Sequence, residues 1–108
     1  MDYIVTWSLA ALDDVDAIAE FIAQDSPAYA TAVVDKIIDA SRELRNSPKA
    51  SRVVPELADP DIRERFVYSY RLIFRITDNT VLVVAVIHGK RLLEPLIDRI
   101  NETQSGQV

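Results

Sequence analysis

The stretch YRLIFRITDNTVLVVAVIH, residues 70–88, decides the fold of this chain. Its first half alternates: residues 70, 72, 74 and 76 are apolar, while Arg71 and Arg75 share the other face. Such a period of two is typical of a strand. Asp78-Asn79 suits a two-residue hairpin turn, because both side chains tolerate positive φ. Residues 81–87 are apolar at every position, so we predict a central strand that is covered on both faces.

Two amphipathic helices precede this hairpin. The first is predicted over residues 8–24, with Ser8 as its N-cap and a buried stripe at helical spacing. The second is predicted over residues 27–46, where Ser26 caps the helix and Pro27 occupies the first helical position. Because so few residues join them, the two helices must lie side by side and antiparallel.

The remaining segments complete the predicted fold. Strands are predicted near residues 2–7 and 62–67, besides those near 70–77 and 80–88, and a short last helix carries Pro95 in its first turn. Residues 47–61 hold three of the five prolines and predict a loop with a short extended piece at 52–54. The order is therefore β-α-α-β-β-β-α. We expect an α+β domain over residues 1–100, with an N-terminal helical hairpin packed on an antiparallel sheet, and a flexible tail over residues 101–108.

The composition of the chain excludes several classes of function. The chain has 108 residues, 49% of them hydrophobic, and no cysteine, so disulfides and thiolate chemistry are excluded. The first residues contain no basic segment followed by a long apolar run, so we expect a cytoplasmic protein with no membrane partner. Net charge is −5, but residues 1–48 carry −6 whereas residues 49–91 carry +3. General coating of nucleic acid is not expected of such a chain, so we expect no direct DNA binding by it alone.

The search for catalytic chemistry leaves one enzymatic hypothesis. His88 is the only histidine, and with two glycines there is no phosphate-cradling loop. We therefore expect no metal and no cofactor, and we interpret His88 as the structural end of a strand. The remaining hypothesis is a cationic cleft that acts on an RNA phosphodiester with His88 moving a proton. Its cations would be Arg52, Arg63, Arg65, Arg71, Arg75, Lys90 and Arg91. Glu56 and Glu64 could neutralise some of these cations in ion pairs.

Five motifs follow one another within residues 4–91, namely the Trp7-Ser8 junction, AIAEFIAQDSPAYA, LRNSPKASRVVPEL, RERFVYSYRLIFRI and VIHGKR. Together with the order of elements, these motifs resemble the RelE/ParE superfamily of bacterial type II toxins. RelE-like members are ribosome-dependent mRNA endonucleases with a basic surface and a late catalytic tyrosine or histidine. ParE-like members keep the fold without that catalytic set and poison DNA gyrase by protein contact. This chain is acidic and has no tyrosine after Tyr70, so it resembles the ParE branch more.

The resemblance implies a cognate ParD-like antitoxin, a hetero-oligomer with it, and DNA gyrase as the target. Two other functions stay open: a RelE-like mRNA endonuclease, and a non-toxic relative that only binds an antitoxin. We expect no catalytic residues, so an enzyme is the less favoured reading. Recognition of target or antitoxin is expected of six residues, namely Arg52, Arg71, Arg75, His88, Lys90 and Arg91.

Two positions depart from the family pattern. Ser51 stands where the family commonly has glycine, and so does Tyr68, in the turn between the strands near 62–67 and 70–77. A bulky residue at position 68 predicts a turn without positive φ, and an exposed aromatic ring. At the end of the chain's central strand, Gly89 is expected to supply the backbone freedom that lets Lys90 and Arg91 project beyond the core.

Overall fold

The computed structural model describes residues 2–91 and 93–102 and confirms the α+β class. Ser8 and Ser26 cap the two long helices, accepting hydrogen bonds from the Ala11 and Tyr29 amides at 3.0 and 3.1 Å. In chain order the elements are β1 (Ile4–Trp7), α1 (Leu9–Ala23), α2 (Pro27–Glu43), β2 (Arg52–Val53), β3 (Ile62–Val67), β4 (Tyr70–Thr77), β5 (Thr80–His88) and α3 (Ile97–Glu102), with 3₁₀ turns at Pro48–Ala50 and Glu94–Leu96.

The sheet is mixed, so the prediction of an antiparallel sheet is corrected at one strand pair. Its strand order is β1-β5-β4-β3-β2, with β1 parallel to β5 and the other pairs antiparallel. After β1 the chain does not fold back: Ser8 donates its amide to Val83 O, and Asp14 of α1 reaches Val86 further along β5. The chain then returns along α2, whose end lies beside Tyr3. Three alternating strands follow, so β5 runs in the direction of β1.

Apolar cores lie on both faces of the sheet. Fully buried side chains of β4 and β5, such as Leu72, Phe74 and Val83, pack under α1 and α2. On the other face Ile73 and Val84 pack against the C-terminal segment, which contributes Leu93, Leu96 and Ile100. Residues 81–87 are buried throughout, which confirms the prediction of a central, doubly covered strand.

One irregularity ties the C-terminal helix to the rest of the fold. Ile73 pairs with Ala85 while Phe74 pairs with Val83, so Val84 is an extra residue, a β-bulge on β5. β1 pairs with residues 80–83 of β5, and side chains form hydrogen bonds with the same edge at Val84 and Val86. Asp14 accepts a hydrogen bond from the Val86 amide at 2.9 Å and forms an ion pair with Arg99 at 2.6 Å. Arg99 also donates to Val84 O, so α1, β5 and α3 meet at one carboxylate.

Of the two tight turns, the one at residues 78–79 agrees with the prediction and the one at residues 68–69 does not. Thr77 pairs with Thr80 around Asp78, which has φ of 52°, and this confirms the predicted Asp78-Asn79 turn. Tyr68 also has positive φ, 53°, so the expectation at that position was wrong. Since Val67 pairs with Tyr70, only Tyr68 and Ser69 close the turn, and so short a hairpin loop requires positive φ whatever residue occupies it. The tyrosine ring is exposed, as predicted.

The C-terminal part follows the predicted helix. Leu93, Leu96 and Ile100 are buried, and Pro95 lies in the 3₁₀ turn that precedes α3. Asn101 and Glu102, which were expected in the tail, end α3, and the rest of the predicted tail, 103–108, lies outside the described residues. Within the described ranges, no helix is long and apolar enough to cross a bilayer.

Candidate recognition site

A groove opens on the sheet face opposite the helical hairpin, where β2, β3 and β4 meet the end of β5. It has a volume of about 460 Å³, and its lining residues are Arg52, Pro55, Glu56, Glu64, Phe66, Arg71 and Gly89. Strand register explains the assembly: Arg52 lies opposite Glu64, Phe66 lies opposite Arg71, and Glu64 is a diagonal neighbour of Arg71.

Four charged side chains form an alternating chain along this groove. Arg71 donates Nε to Glu64 at 2.8 Å, and its Nη1 and Nη2 donate to the two oxygens of Glu56 at 2.7 and 2.9 Å. Arg52 Nε lies 3.1 Å from the second Glu64 oxygen. The middle pair is interior, because the Arg71 and Glu64 side chains are only 5% and 1% exposed. The end members face solvent, with Glu56 at 43% and Arg52 at 63%.

The network is balanced in charge. Two arginines face two glutamates, which confirms that Glu56 and Glu64 neutralise cations of this region. The Arg71 hydrogen bonds hold the pKa of Glu56 below its ordinary value, against the opposing effect of burial. In return the Glu56 hydrogen bonds raise the pKa of Arg71. Both groups therefore stay ionised near neutral pH, and each stabilises the charge of the other.

Close packing around Gly89 favours a residue without a Cβ atom. Its φ is not positive, so the left-handed region that favours glycine is not used at this position. A Cβ atom at this position would lie 3.1 Å from the Phe66 ring and 3.2 Å from the Ser69 carbonyl oxygen. The Gly89 amide donates to that same oxygen at 2.7 Å, so the end of β5 is held against the turn after β3.

The end of β5 presents three exposed side chains, His88, Lys90 and Arg91. The His88 ring packs edge-on against Tyr70, with ring centroids 5.8 Å apart. Its Nδ1 accepts a hydrogen bond from the Lys90 amide at 3.2 Å, and its carbonyl oxygen accepts one from the Arg91 amide at 3.0 Å. His88 therefore shapes the turn that leaves the sheet, while both cations project from it.

The structure separates the cations of the hypothetical catalytic cleft. Arg63 donates to Lys49 O and Ser51 O, and Arg65 forms an ion pair with Glu43 of α2. Arg75 shares a face with Arg71, as predicted, but lies opposite Leu82 and contacts Asn101. Of these cations, Arg52 and Arg71 line the groove. Gly89 also lines it and directly precedes Lys90 and Arg91 in the chain. Among the described residues, no three histidine or acidic side chains are placed to hold a metal.

Sequence reasoning missed Phe66 as part of this site. Its ring is 51% exposed and forms a wall of the groove. The available signal was the alternation in RERFV, which places Phe66 on the same face as Glu64. A phenylalanine two residues from a glutamate, on one face of a strand, indicates a mixed surface and not a continuous core.

A second surface lies between the two long helices. An apolar groove of about 460 Å³ runs along α1 and α2, and Glu20 and Asp35 are its acidic members. Its apolar lining consists of Ala19, Ala23, Pro27, Ala30 and Val34. Elsewhere on α1, Phe21 is 68% exposed. The hairpin thus combines apolar contact area with negative charge, the opposite of the cationic end of β5.

Comparison with known proteins identifies the family. Residues 5–93 match the family described as the ParE toxin of the type II toxin–antitoxin system parDE. Among curated proteins, none shows a significant sequence match to this chain.

Solved structures share the fold. A chromosomal ParDE toxin–antitoxin structure from P. aeruginosa superposes with a TM-score of 0.67 at 18% identity, covering 80% of this chain and 95% of that chain. Free E. coli toxin RelE, as a double arginine-to-alanine mutant, gives 0.63 at 19% identity and covers 96% of each chain. The RelBE2 toxin–antitoxin complex from Mycobacterium tuberculosis gives 0.56 at 26% identity, covering 82% and 99%. With the family match spanning most of its length, this chain belongs to the ParE toxin family of type II toxin–antitoxin systems.

Proposed function

We propose that this chain poisons its target by binding a protein and not by cleaving RNA, and that DNA gyrase is the target. The target is carried over from the resemblance to ParE-like toxins. The observation that carries the binding mechanism is the charge-balanced network of Arg52, Glu64, Arg71 and Glu56 in the groove.

An RNA-cleaving site needs unpaired cations where the phosphorane charge develops, and a group that moves a proton. Here the Arg71 fork is committed to two carboxylates, and these carboxylates repel a phosphodiester at the place where one would bind. His88 Nδ1 accepts the Lys90 amide hydrogen, and the chain has no tyrosine beyond Tyr70 to share the proton transfers. The groove therefore favours recognition over phosphodiester chemistry.

Direct contact with the target is assigned first to Arg52, Lys90 and Arg91, whose side chains are exposed. Arg71 is buried between its two glutamates, so we assign it the positioning of Glu64 and, through Glu64, of Arg52. Direct contact of Arg71 or Arg75 with acids of an antitoxin stays a prediction. Either arginine would have to exchange an intramolecular partner, Glu56 or Asn101, for the incoming acid.

The helical hairpin is the proposed docking surface for a ParD-like antitoxin, which would hold the toxin in a hetero-oligomer in the cytoplasm. An amphipathic helix fits an apolar groove of this kind through residues at positions i, i+3 and i+4. Glu20 and Asp35 favour a segment with basic residues beside its apolar face. A sheet edge next to the hairpin can extend the contact, because β1 is an edge strand of the sheet that the described residues form.

Inducible expression in a bacterium tests the mechanism. We expect growth inhibition with induction of the DNA-damage response, and inhibition of supercoiling by purified gyrase. Early arrest of translation with cleaved mRNA would replace this proposal with a RelE-like endonuclease. Growth without inhibition, combined with antitoxin binding, would indicate a non-toxic relative.

Arg91→Ala separates recognition from folding at the cationic end of β5. The guanidinium offers a planar fork to a carboxylate, and its loss leaves the buried Leu93, Leu96 and Ile100 intact. We expect the variant to fold and bind antitoxin but to inhibit growth less than the parent. Arg42→Ala, which removes an exposed arginine of α2, is the matched control and should inhibit growth as the parent does. Full growth inhibition by a folded Arg91→Ala variant would remove Arg91 from the recognition surface.

A further inference from the structure

We propose that Arg52 is a preorganised receptor for the side-chain carboxylate of an acidic peptide segment, with Phe66 and Pro55 contacting an apolar neighbour of that acid. The inference rests on the proposed function, because it names the chemistry by which the target protein is held. The ligand class is an aspartate or glutamate next to an aromatic or aliphatic residue.

The first argument is the open end of the charge chain. Glu56, Arg71, Glu64 and Arg52 alternate in sign, and the chain ends at a guanidinium that is 63% exposed. An anion bound to Arg52 would continue this alternation of positive and negative charges. Arg52 uses Nε toward Glu64, and within the described part of the chain no partner engages its two Nη groups. These two nitrogens are an edge that binds a carboxylate in bidentate fashion.

The second argument is that the buried Glu64 carboxylate holds Arg52 in place. Glu64 Oε2 is shielded from solvent and has no hydrogen-bond donor among the described residues, so the ion pair with Arg52 Nε at 3.1 Å is its compensation on that side. Moving Arg52 away would leave this buried oxygen poorly compensated, which is costly. A long side chain that is already held loses less conformational entropy when it binds.

The third argument concerns the walls of the groove. Phe66 is 51% exposed beside Gly89, and Pro55 lines the same space. Gly89 leaves room there that a Cβ atom would fill, since that atom would approach the Phe66 ring to 3.1 Å. The anchoring cation is therefore flanked by apolar surface, which a peptide side chain next to the acid can cover.

A carboxylate fits this groove better than a nucleic-acid phosphate. Glu56 and Glu64 lie within the network, and the chain carries a net charge of −5. A polyanion brings several phosphates into that field, whereas one side-chain carboxylate meets only the exposed end at Arg52. An oligonucleotide is thus the alternative that the experiment must distinguish.

The experiment is an NMR titration of the full-length, isotope-labelled protein with two blocked peptides, acetyl-Gly-Asp-Phe-Gly-amide and its Asn counterpart. A single bidentate pair with one ring contact supports a Kd of about 1 mM. We expect the Asp peptide to shift the Arg52 side-chain signal and the Phe66 and Gly89 amides, with affinity at least about five-fold above that of the Asn peptide, the discrimination expected of a charge-assisted pair.

Variants of Arg52 test whether this side chain is responsible for binding the Asp peptide. Arg52→Gln removes the cation, whereas Arg52→Lys keeps a charge beside Glu64 but has no planar fork, so it serves if the Gln variant does not fold. Arg52→Gln should weaken binding of the Asp peptide to the level of the Asn peptide, Arg52→Lys should weaken it by a smaller but measurable factor, and Arg42→Gln should leave it unchanged. Equal binding of the two peptides, unchanged binding by Arg52→Lys, absence of any shift, or stronger shifts with a uridine hexamer would each overturn the proposal.

A growth-inhibition assay distinguishes failure of this proposal from failure of the proposed function. If the parent does not inhibit growth, the toxin assignment fails, yet the titration still decides whether the carboxylate receptor exists. If the parent inhibits growth, a folded Arg52→Lys variant should inhibit it less. A titration that succeeds while Arg52→Lys stays fully inhibitory would show that this receptor is not used on the target, and would overturn its assignment to target recognition.

Discussion

The two faces of the central sheet are built on different principles. The face under α1 and α2 has an apolar core, with Leu72, Phe74 and Val83 fully buried, and its ion pair of Arg65 with Glu43 lies at the partly exposed margin. The opposite face is divided: its core around Ile73 and Ile100 is apolar, while the part beside β2 buries Arg71 and Glu64. Apolar burial stabilises a fold without directional requirements, whereas a buried ion pair gains little net stability and requires defined geometry. This difference is why we propose that the charged part serves recognition.

The largest expected effect comes from breaking the buried pair on one side. Arg71→Ala leaves the Glu64 carboxylate, 1% exposed, without its main partner. We expect the free energy of unfolding to fall by about 3–5 kcal/mol, because an uncompensated buried charge is costly. Chemical denaturation measures this loss. Arg42→Ala on the exposed side of α2 is the control and should change stability by less than about 0.5 kcal/mol; an equal change in both variants would contradict the distinction between the two regions.

The next effect tests the link between the two faces. Asp14 accepts hydrogen bonds from the Val86 amide and from Arg99, so Asp14→Ala should detach α3 from α1 and the bulge. A loss of about 1.5–3 kcal/mol is expected for hydrogen bonds to a charged group that is mostly buried. Hydrogen exchange should also increase at residues 97–102 before it increases in β4. The neighbouring Asp13, which is exposed, supplies the control Asp13→Ala, and similar exchange in both variants would refute the link.

Acid should weaken the charged part of the sheet selectively. The pKa of Glu56 is lowered from its ordinary value of 4.5 in the folded state. Its contribution is therefore fully present above pH 4.5, where the unfolded chain is also ionised, and it is lost as pH falls through the lower folded pKa. Denaturation midpoints below pH 4.5 should fall less steeply for Glu56→Gln than for the parent. Glu20→Gln, on the exposed part of α1, should keep the parent slope, and identical slopes in all three proteins would argue against the Arg71–Glu56 pair.

The smallest effect concerns the turn between β3 and β4. Tyr68 has φ of 53°, a conformation that costs a bulky residue about 1 kcal/mol and glycine almost nothing. The Tyr29 ring, at a centroid distance of 6.4 Å, offsets part of that cost. Tyr68→Gly should therefore raise the free energy of unfolding by up to about 1 kcal/mol. A Tyr29→Ala variant isolates the ring contact, and a large destabilisation by Tyr68→Gly would show that the contact outweighs the strain.

Much of the fold follows from local sequence patterns. The alternation in residues 70–77 and the unbroken apolar run at 81–87 predict the central hairpin, because period and burial are properties of neighbouring residues. The parallel pairing of β1 with β5 does not follow, since it depends on α1 continuing along β5 through contacts such as Asp14 with Val86. Asp14 and Arg99 are 85 residues apart, and no local pattern joins them.

The candidate site was predicted less completely. The expectation that Glu56 and Glu64 neutralise cations is confirmed, but their partners could not be assigned from sequence. The pairs depend on strand register, which places Arg52 opposite Glu64 and Arg71 diagonal to it. The reason for Gly89 was also out of reach, because the close approach of Phe66 is a tertiary contact.

The central proposal is that the buried ion pair of Arg71 and Glu64 serves recognition, and that replacing the pair as a whole costs little stability. Replacing both members with apolar residues, Glu64→Leu with Arg71→Met, tests it most directly through growth inhibition by the folded double variant. We expect stability within about 1 kcal/mol of the parent, since buried ion pairs replaced by apolar residues of similar size are often neutral or stabilising. We also expect retained antitoxin binding and lost growth inhibition, because Arg52 is no longer held. A stable double variant that inhibits growth as strongly as the parent would contradict the account.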